Sequence, residues 1–248
     1  MAAGSGEVLL EVDGAVAVVT LNAPDRRNAL TPEMASELIA TFDEVDAKPE
    51  IGALVVRAVG KSFCAGGDIK TLTDAGRDPA EPSAYEGMST IYDSFYRLGQ
   101  VRVPTIAAVR GSAVGAGMNM LLATDLRIVA SDARLLCGFL KRGMHPGGGH
   151  FVILSRLIGR EAAAAMALFG EEIDGARAVQ LGLAWESVDD AAVEGRAIEL
   201  AARVAADPEL ARVAVGNFRK ETATPVSWEI ATQFERPAQM WSMRRSAG

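Results

Sequence analysis

The chain has 248 residues, which is the length of one large domain or of a domain with a small helical annex. Its hydrophobic fraction of 49% and charged fraction of 23% are those of a folded chain with a sizeable core, and they exclude disorder as the dominant state. The net charge of −7 disfavours a nucleic-acid binder that relies on a basic surface.

Two cysteines, Cys64 and Cys137, are too few for a disulfide framework or a four-thiolate metal site, so a reducing compartment is expected. No apolar run approaches the ~18 residues that a membrane helix needs. Residues 1–7 lack the basic flank and the apolar stretch of a signal peptide. We therefore expect a cytoplasmic protein without a membrane segment, a metal site or a nucleic-acid partner.

The first predicted elements are a hairpin, a helix and a strand. β-rich runs at 8–12 and 15–21 flank Asp13-Gly14, and a glycine that accepts positive φ predicts a tight turn there. Thr31-Pro32-Glu33 predicts a helix start, with Thr as the N-cap and Pro at the first helical position. The continuous apolar run at 53–59 predicts a buried strand.

Strands and helices alternate along the rest of the chain. A polar stretch at 74–82 predicts an exposed loop. The other predicted elements are a helix at 85–98, a strand at 105–109, a helix from Gly115-Ala116-Gly117 to about 124, a strand at 126–129, a helix at 150–158, a strand at 184–188 and three helices from about 190. This alternation predicts an α/β fold, with a core at 1–190 and a helical C-terminal annex at 191–248 that packs on a neighbour or closes a pocket.

Several common catalytic signatures are missing from the sequence. There is no G-x-G-x-x-G after a strand, no G-x-x-x-x-G-K-[ST] loop and no G-x-S-x-G elbow. The two histidines, His145 and His150, are not in an H-E-x-x-H frame. Dehydrogenases, P-loop NTPases, serine hydrolases and zinc proteases are therefore disfavoured.

Two glycine-rich segments follow predicted strands, at 61–70 and 109–119. Each can leave backbone N–H groups unpaired, and small side chains let a ligand approach the backbone closely. Two such segments facing each other would form a two-donor oxyanion hole for a thioester or ester carbonyl. Either segment alone is more typical of a tight turn.

Five segments in the same order are similar to one known family. They are 21–30 (LNAPDRRNAL), 63–70 (FCAGGDIK), 107–117 (AAVRGSAVGAG), 123–130 (ATDLRIVA) and 143–149 (GMHPGGG). On these segments the sequence resembles the enoyl-CoA hydratase/isomerase, or crotonase, superfamily over nearly its whole length. The resemblance implies a crotonase-like spiral of β-β-α units, a homotrimer or hexamer, and a bent acyl-CoA thioester as ligand, with no cofactor besides the CoA of the substrate.

The resemblance also assigns site residues. It implies that the backbone N–H groups of Gly67 and Ala116 are the oxyanion donors, and that Arg26 or Arg27 meets the CoA phosphates unless it is a solvated surface group. The positions that it assigns to substrate or CoA binding are Arg26, Arg27, Ala29, Ala65, Gly67, Asp68, Ile69, Lys70, Ala116 and Phe139.

The sequence departs from the family at both acid/base positions. The two glutamates of the hydratases are replaced by Asn119 and Phe139. An amide cannot shuttle a proton near pH 7, and a phenyl ring cannot bind one. Each general acid or base is worth roughly 10²–10⁴ in rate, so water addition by the usual route is not expected. Phe139 either narrows the acyl pocket or stacks on an aromatic acyl group.

Other residues near these segments have two interpretations each. His145 is a candidate base or water-orienting group because the resemblance places it beside the thioester, and otherwise it caps a helix or binds a backbone carbonyl. His150 is interpreted as structural, Asp68 as a cap of its own loop and Cys64 as an inert buried thiol. Near the end of the chain, Arg244 and Arg245 are candidates for a basic contact to CoA.

Three functional hypotheses remain open from the sequence. The first is a lyase or isomerase of CoA esters, with decarboxylation attractive because it needs no carboxylate base. The second is a thioester or carbon–carbon bond hydrolase that positions water with His145. The third is a non-catalytic acyl-CoA binder, which Asn119 and Phe139 favour.

Overall fold

The computed structural model describes residues 6–78 and 81–223. The strands are β1 (Val8–Asp13), β2 (Val16–Leu21), β3 (Ala53–Ala58), β4 (Ser62–Cys64), β5 (Thr105–Val109), β6 (Ser112–Val114), β7 (Leu126–Ala130), β8 (Arg134–Leu136) and β9 (Glu186–Val188). The helices are α1 (Pro32–Ala47), α2 (Ile69–Arg77), α3 (Pro82–Gly99), α4 (Ala116–Leu122), α5 (His150–Ala167), α6 (Gly175–Gln180), α7 (Val193–Ala205) and α8 (Pro208–Ala223).

The larger sheet has six strands in the order β1-β2-β3-β5-β7-β9. β1 and β2 form the predicted antiparallel hairpin, in register from Val8 opposite Leu21 to Asp13 opposite Val16. All other neighbours are parallel. β2 and β5 are buried along their whole length, as expected for parallel strands covered on both faces.

A second, smaller sheet contains β4, β6 and β8, all parallel. Each of its strands follows a strand of the larger sheet directly, in the pairs β3–β4, β5–β6 and β7–β8. The chain therefore repeats a β-β-α unit, and the expected α/β spiral is confirmed. Both glycine-rich segments leave the smaller sheet, one after β4 and one after β6.

The helices cover the larger sheet and start at the expected caps. The Thr31 hydroxyl accepts a hydrogen bond from the N–H of Met34 at the start of α1, and the apolar face of α1 is fully buried. α1 packs on α3, and α7 packs across β2, β3, β5 and β7. α7 thus covers the sheet of the core although it belongs to the segment 191–248.

The side chain of Asn28 connects three strand ends through hydrogen bonds. Its buried side chain accepts a hydrogen bond from Ala23 N and donates to the carbonyl oxygens of Val59 and Ser62. Its backbone is left-handed, with φ 54°, which an asparagine tolerates better than most residues. The amide therefore holds the ends of β2 and β3 against the start of β4, beneath the first glycine-rich segment.

One expectation needs correction. The loop predicted at 74–82 is helical up to Arg77, because Asp68 caps α2 and starts a helix before the polar stretch. The short strands β4, β6 and β8 were not predicted, since three residues leave no periodic pattern. The helix predicted at 150–158 is confirmed as the first part of α5, which has a non-helical break at Gly159 and then runs on to Ala167. Arg244, Arg245 and the last predicted helix lie outside the described residues.

Candidate active site

A cavity of about 460 Å³ opens where the two glycine-rich segments meet α3 and the segment before α5. Among its lining residues are eleven positions that the sequence had singled out. They are Arg26, Arg27, Ala29, Ala65, Gly67, Asp68, Ile69, Ala116, Asn119, Phe139 and His145. Lys70 does not line it: its exposed ammonium pairs with Asp74 one turn along α2, at 2.8 Å.

The two glycine-rich segments are in direct contact. A Cβ atom on Gly66 would lie 2.8 Å from the carbonyl oxygen of Val114 and 3.7 Å from the nitrogen of Ala116. Gly115, which precedes Ala116, has φ 54° and ψ −111°, a conformation that residues with a Cβ avoid. The chain can therefore turn sharply from β6 into α4 while the two backbones touch.

Gly67 and Ala116 both line the cavity. Within the described residues, neither N–H donates a hydrogen bond, although the neighbouring Asp68 N–H donates to the carbonyl of Leu30 and Gly115 N–H donates to that of Leu136. Two unpaired backbone donors in one cavity can bind a single oxygen atom that carries negative charge.

Asn119 occupies the first acid/base position and is almost fully buried. Its Nδ2 donates to the carbonyl oxygen of Gly147 at 3.0 Å. Its Oδ1 lies 2.6 Å from Nδ1 of His150. Since the amide oxygen can only accept, His150 carries its proton on Nδ1.

His150 is the first residue of α5 and is 1% exposed. Its Nε2 lies 2.9 Å from Sγ of Cys137, and the Phe139 ring meets its ring edge-on at a centroid distance of 5.0 Å. Burial lowers the pKa of His150 to about 4 and raises the pKa of Cys137 to about 12. Both groups are therefore neutral over the physiological pH range. Sequence reasoning did not anticipate these contacts, because Cys137 and Asn119 are 13 and 31 residues away from His150 along the chain.

Phe139 fills the second acid/base position with a hydrocarbon ring. A Cβ atom on Gly115 would lie 3.5 Å from Cζ of Phe139, so the ring covers the turn that leads to Ala116. The carboxylates that line the cavity are Asp25 and Asp68. Asp68 caps α2 by accepting from the N–H and hydroxyl of Thr71.

His145 lies at the exposed side of the cavity. Its Nδ1 is 2.7 Å from the carbonyl oxygen of Pro146, so this nitrogen carries the proton and Nε2 has the free lone pair. The ring also packs edge-on against Phe151, at a centroid distance of 5.6 Å. The sequence left two interpretations of His145 open, a group at the ligand site or a contact to a backbone carbonyl. In the structure His145 lines the cavity and also contacts a backbone carbonyl.

The arginines at the cavity differ in their partners. Arg26 forms a bidentate ion pair with Glu7 and donates a hydrogen bond to the carbonyl oxygen of Ala29. Arg27 and Arg142 line the cavity as well, and in the described part of the chain neither makes an ion pair. Arg142 was not anticipated from the sequence.

The inner wall of the cavity is apolar. It includes Met88, Ile91 and Tyr92, which lie on one face of α3 at spacings of three and four residues. Leu72 and Met144 extend the same surface. Sequence reasoning missed these residues, although the helical spacing on α3 was visible.

No described helix is long and apolar enough to span a membrane.

Comparisons with known proteins agree with this geometry. The family model for enoyl-CoA hydratase/isomerase matches residues 11–245. A probable enoyl-CoA hydratase of Mycobacterium tuberculosis, EchA14, is 43% identical over 223 residues, which cover 90% of this chain and 85% of the relative. The 1,2-epoxyphenylacetyl-CoA isomerase of Escherichia coli is 34% identical over 206 residues, covering 81% of this chain and 77% of the relative.

Solved structures show the same fold. The crystal structure of an enoyl-CoA hydratase from Polaromonas sp. JS666 superposes with a TM-score of 0.89 and 27% identity, covering 97% of this chain and 93% of that one. The family match spans residues 11–245, which is nearly the whole chain. The chain therefore belongs to the enoyl-CoA hydratase/isomerase family and is an enzyme of the crotonase superfamily.

Proposed function

We propose that this enzyme binds an acyl-CoA thioester in the cavity and stabilises negative charge on the thioester oxygen with the N–H groups of Gly67 and Ala116. The observation that carries the proposal is the pair of unpaired backbone donors on one cavity wall. The apolar wall on α3 suits an acyl chain, and the similar proteins include a probable enoyl-CoA hydratase and a 1,2-epoxyphenylacetyl-CoA isomerase. We expect no separate cofactor, because CoA enters with the substrate.

Arg27 and Arg142 are the proposed contacts for the CoA phosphates. Both are exposed at the cavity and have no carboxylate partner among the described residues. A guanidinium binds phosphate through paired donors. Arg26 is the weaker candidate because Glu7 already occupies both of its terminal nitrogens.

Ordinary water addition is not part of the proposal. Asn119 and Phe139 replace the two carboxylates that would move protons in a hydratase, and Asp68 is used as a helix cap. The chemistry that remains is activation of the thioester carbonyl, either toward an enolate or toward attack by a nucleophile.

A second candidate, enolate chemistry as in an isomerase or decarboxylase, is supported by His145. His145 lines the cavity, and within the described residues its Nε2 has no hydrogen-bond partner, which leaves this nitrogen available for proton transfer. The His145→Gln variant tests it, since glutamine keeps the polarity but cannot take up a proton. Unchanged isomerisation or decarboxylation in this variant would remove His145 from the mechanism.

The first experiment is mass spectrometry of the protein incubated with enoyl-, dienoyl-, malonyl-, β-keto- and aromatic-CoA esters. Gain of water, loss of carbon dioxide or release of CoA each identifies a reaction class, and isomerisation appears as a change in retention time. If no ester is converted or retained through gel filtration, the proposed ligand class is wrong.

The oxyanion hole is tested with Ala116→Pro. Position 116 is the first residue of α4, where proline is tolerated, and the substitution removes the N–H donor and places the ring carbon Cδ where the hydrogen stood. The matched control is Ala116→Ser, which keeps the donor. We expect Ala116→Pro to lower kcat by about 10²–10³, the usual cost of one oxyanion donor, and Ala116→Ser to remain close to the parent. Equal rates for the two variants would exclude Ala116.

Assembly as a homotrimer or hexamer, implied by the family resemblance, stays a prediction. So does the role of residues 191–248 as a lid or a trimer contact. Light scattering of the purified protein measures the subunit number directly.

A further inference from the structure

Three side chains form a continuous hydrogen-bonded row beneath the cavity. Cys137 Sγ lies 2.9 Å from Nε2 of His150, and His150 Nδ1 lies 2.6 Å from Oδ1 of Asn119. The amide of Asn119 is held in this orientation because its Nδ2 donates to Gly147 O at 3.0 Å. With the proton on Nδ1, the lone pair of Nε2 faces the thiol, which donates to it.

A thiol, an imidazole and an orienting amide in this order are the arrangement of a cysteine nucleophile with its general base. We propose that Cys137, His150 and Asn119 are a nucleophilic triad that cleaves the acyl-CoA thioester through an S-acyl intermediate on Cys137. This inference rests on the proposed use of the cavity for acyl-CoA, and it names the reaction class as thioester hydrolysis.

The position of Cys137 relative to the oxyanion donors supports the assignment. β8 pairs with β6, with Val114 opposite Leu136, and the N–H of Gly115 donates to Leu136 O at 3.2 Å. Cys137 therefore lies beside Gly115, the residue before Ala116. Cys137 also belongs to the lining of the cavity that Gly67 and Ala116 line.

The surroundings of the triad determine how the thiol must react. The imidazole contacts the hydrocarbon ring of Phe139, and the hydrogen-bond partners of its two nitrogens are the thiol and the amide, which are uncharged. Cys137 is 1% exposed to water. The thiol and imidazole start as a neutral pair, so the proton moves to His150 as the acyl carbon reaches the sulfur.

The two steps of the reaction need no reactant besides the acyl-CoA and water. In the first, a lone pair of Cys137 Sγ forms a bond to the thioester carbon, the bond from that carbon to the CoA sulfur breaks, and His150 passes the thiol proton to the departing CoA. In the second, His150 takes a proton from water, whose oxygen forms the new bond to carbon. The bond to Cys137 breaks, and the proton returns to the thiol.

The experiment uses the full chain carrying Cys64→Ala, so that Cys137 is the single thiol. The matched control is Cys137→Ala with Cys64 present, because Cys64 is also buried and its pKa is also raised to about 12, but its thiol hydrogen-bonds to Gly66 O instead of a histidine. Acetyl-, octanoyl- and phenylacetyl-CoA are mixed with excess protein and quenched in acid within milliseconds. Intact-protein mass spectrometry then measures the acyl adduct, and chromatography measures free CoA.

We expect an adduct of the acyl mass on the peptide that contains Cys137, with free CoA released in equal amount. Cys137→Ala and His150→Gln should each lower CoA release by about 10³-fold or more, as the loss of a triad member does. Asn119→Ala should lower kcat more than it changes KM, because it removes the acceptor that orients His150. Circular dichroism checks that each variant is folded. The acyl adduct is measured on the protein that carries only Cys64→Ala, so this result does not depend on how the other variants fold.

An ester that binds in calorimetry but leaves no mass on Cys137 and releases no CoA overturns the triad, while the proposed oxyanion hole stands. CoA release that persists in Cys137→Ala overturns it too. Failure of every ester to bind overturns both proposals.

Discussion

A Cβ atom on Gly117 would lie 2.2 Å from the carbonyl oxygen of Cys64, so the first turn of α4 rests on the backbone at the end of β4. Atoms of a real side chain do not approach a carbonyl so closely. Ala116 precedes this contact and Gly67 follows Cys64 by three residues. The contact therefore sets the separation of the two N–H groups that form the proposed oxyanion hole.

Gly117→Ala should disrupt this separation. The added methyl group must displace backbone, and overpacking of this kind costs about 1–3 kcal/mol. We expect a lower midpoint of urea unfolding and a loss of acyl-CoA turnover. The control is Gly195→Ala on α7, where a Cβ meets nothing within 4 Å and should raise stability by about 0.5–1 kcal/mol. Equal effects at the two sites would contradict the close contact.

The stability of the protein should depend on pH through His150. Burial lowers its pKa from the ordinary 6.5 to about 4 in the folded state. Between these values the unfolded chain binds a proton that the folded chain does not, so stability is complete above pH 6.5 and is lost as the pH falls toward 4. The difference is roughly 3 kcal/mol.

Urea unfolding between pH 4 and 8 measures this dependence. We expect His150→Gln to flatten the acid side of the curve relative to the parent. The carboxylates contribute to both curves and cancel in the comparison. Parallel curves for the parent and His150→Gln would show that the imidazole is not buried as a neutral group.

Restoring both carboxylates should create hydratase activity. In Asn119→Glu with Phe139→Glu, two proton-transfer groups return beside an intact backbone oxyanion hole, each worth about 10²–10⁴ in rate. Addition of water to a short trans-2-enoyl-CoA is followed by loss of the enoyl absorbance. The control pair is Asn119→Gln with Phe139→Leu, which keeps an amide and an apolar side chain. No gain over this control would mean that the cavity geometry, and not only the missing acids, prevents hydration.

Arg27→Ala and Arg142→Ala should weaken substrate binding without slowing the chemistry. Each lost contact to a phosphate should raise KM by about tenfold, with kcat unchanged. The same variants are measured with an acyl-pantetheine substrate, which has no nucleotide phosphates, and there KM should not change. If KM rises equally with both substrates, these arginines contact the acyl end of the ligand instead of its phosphates.

Local features of the fold could be predicted because they depend on neighbouring residues. The hairpin turn at Asp13-Gly14 and the helix start at Thr31-Pro32 rest on backbone preferences within four residues. The two glycine-rich segments were visible for the same reason, since glycine marks places where backbone must come close. β4, β6 and β8 were not, because strands of three residues are stabilised by their neighbours in the sheet rather than by a pattern of their own.

The sequence by itself predicted the family and the α/β spiral, and the resemblance implied that Asn119 and Phe139 stand at the two glutamate positions. Only the tertiary structure decided which groups surround these two residues. Cys137 and Asn119 are 13 and 31 residues away from His150, and they meet because β8 pairs with β6 while α5 begins above α4. A lone histidine in a sequence shows neither its partners nor its protonation, which depend on burial and on hydrogen bonds that long-range packing creates.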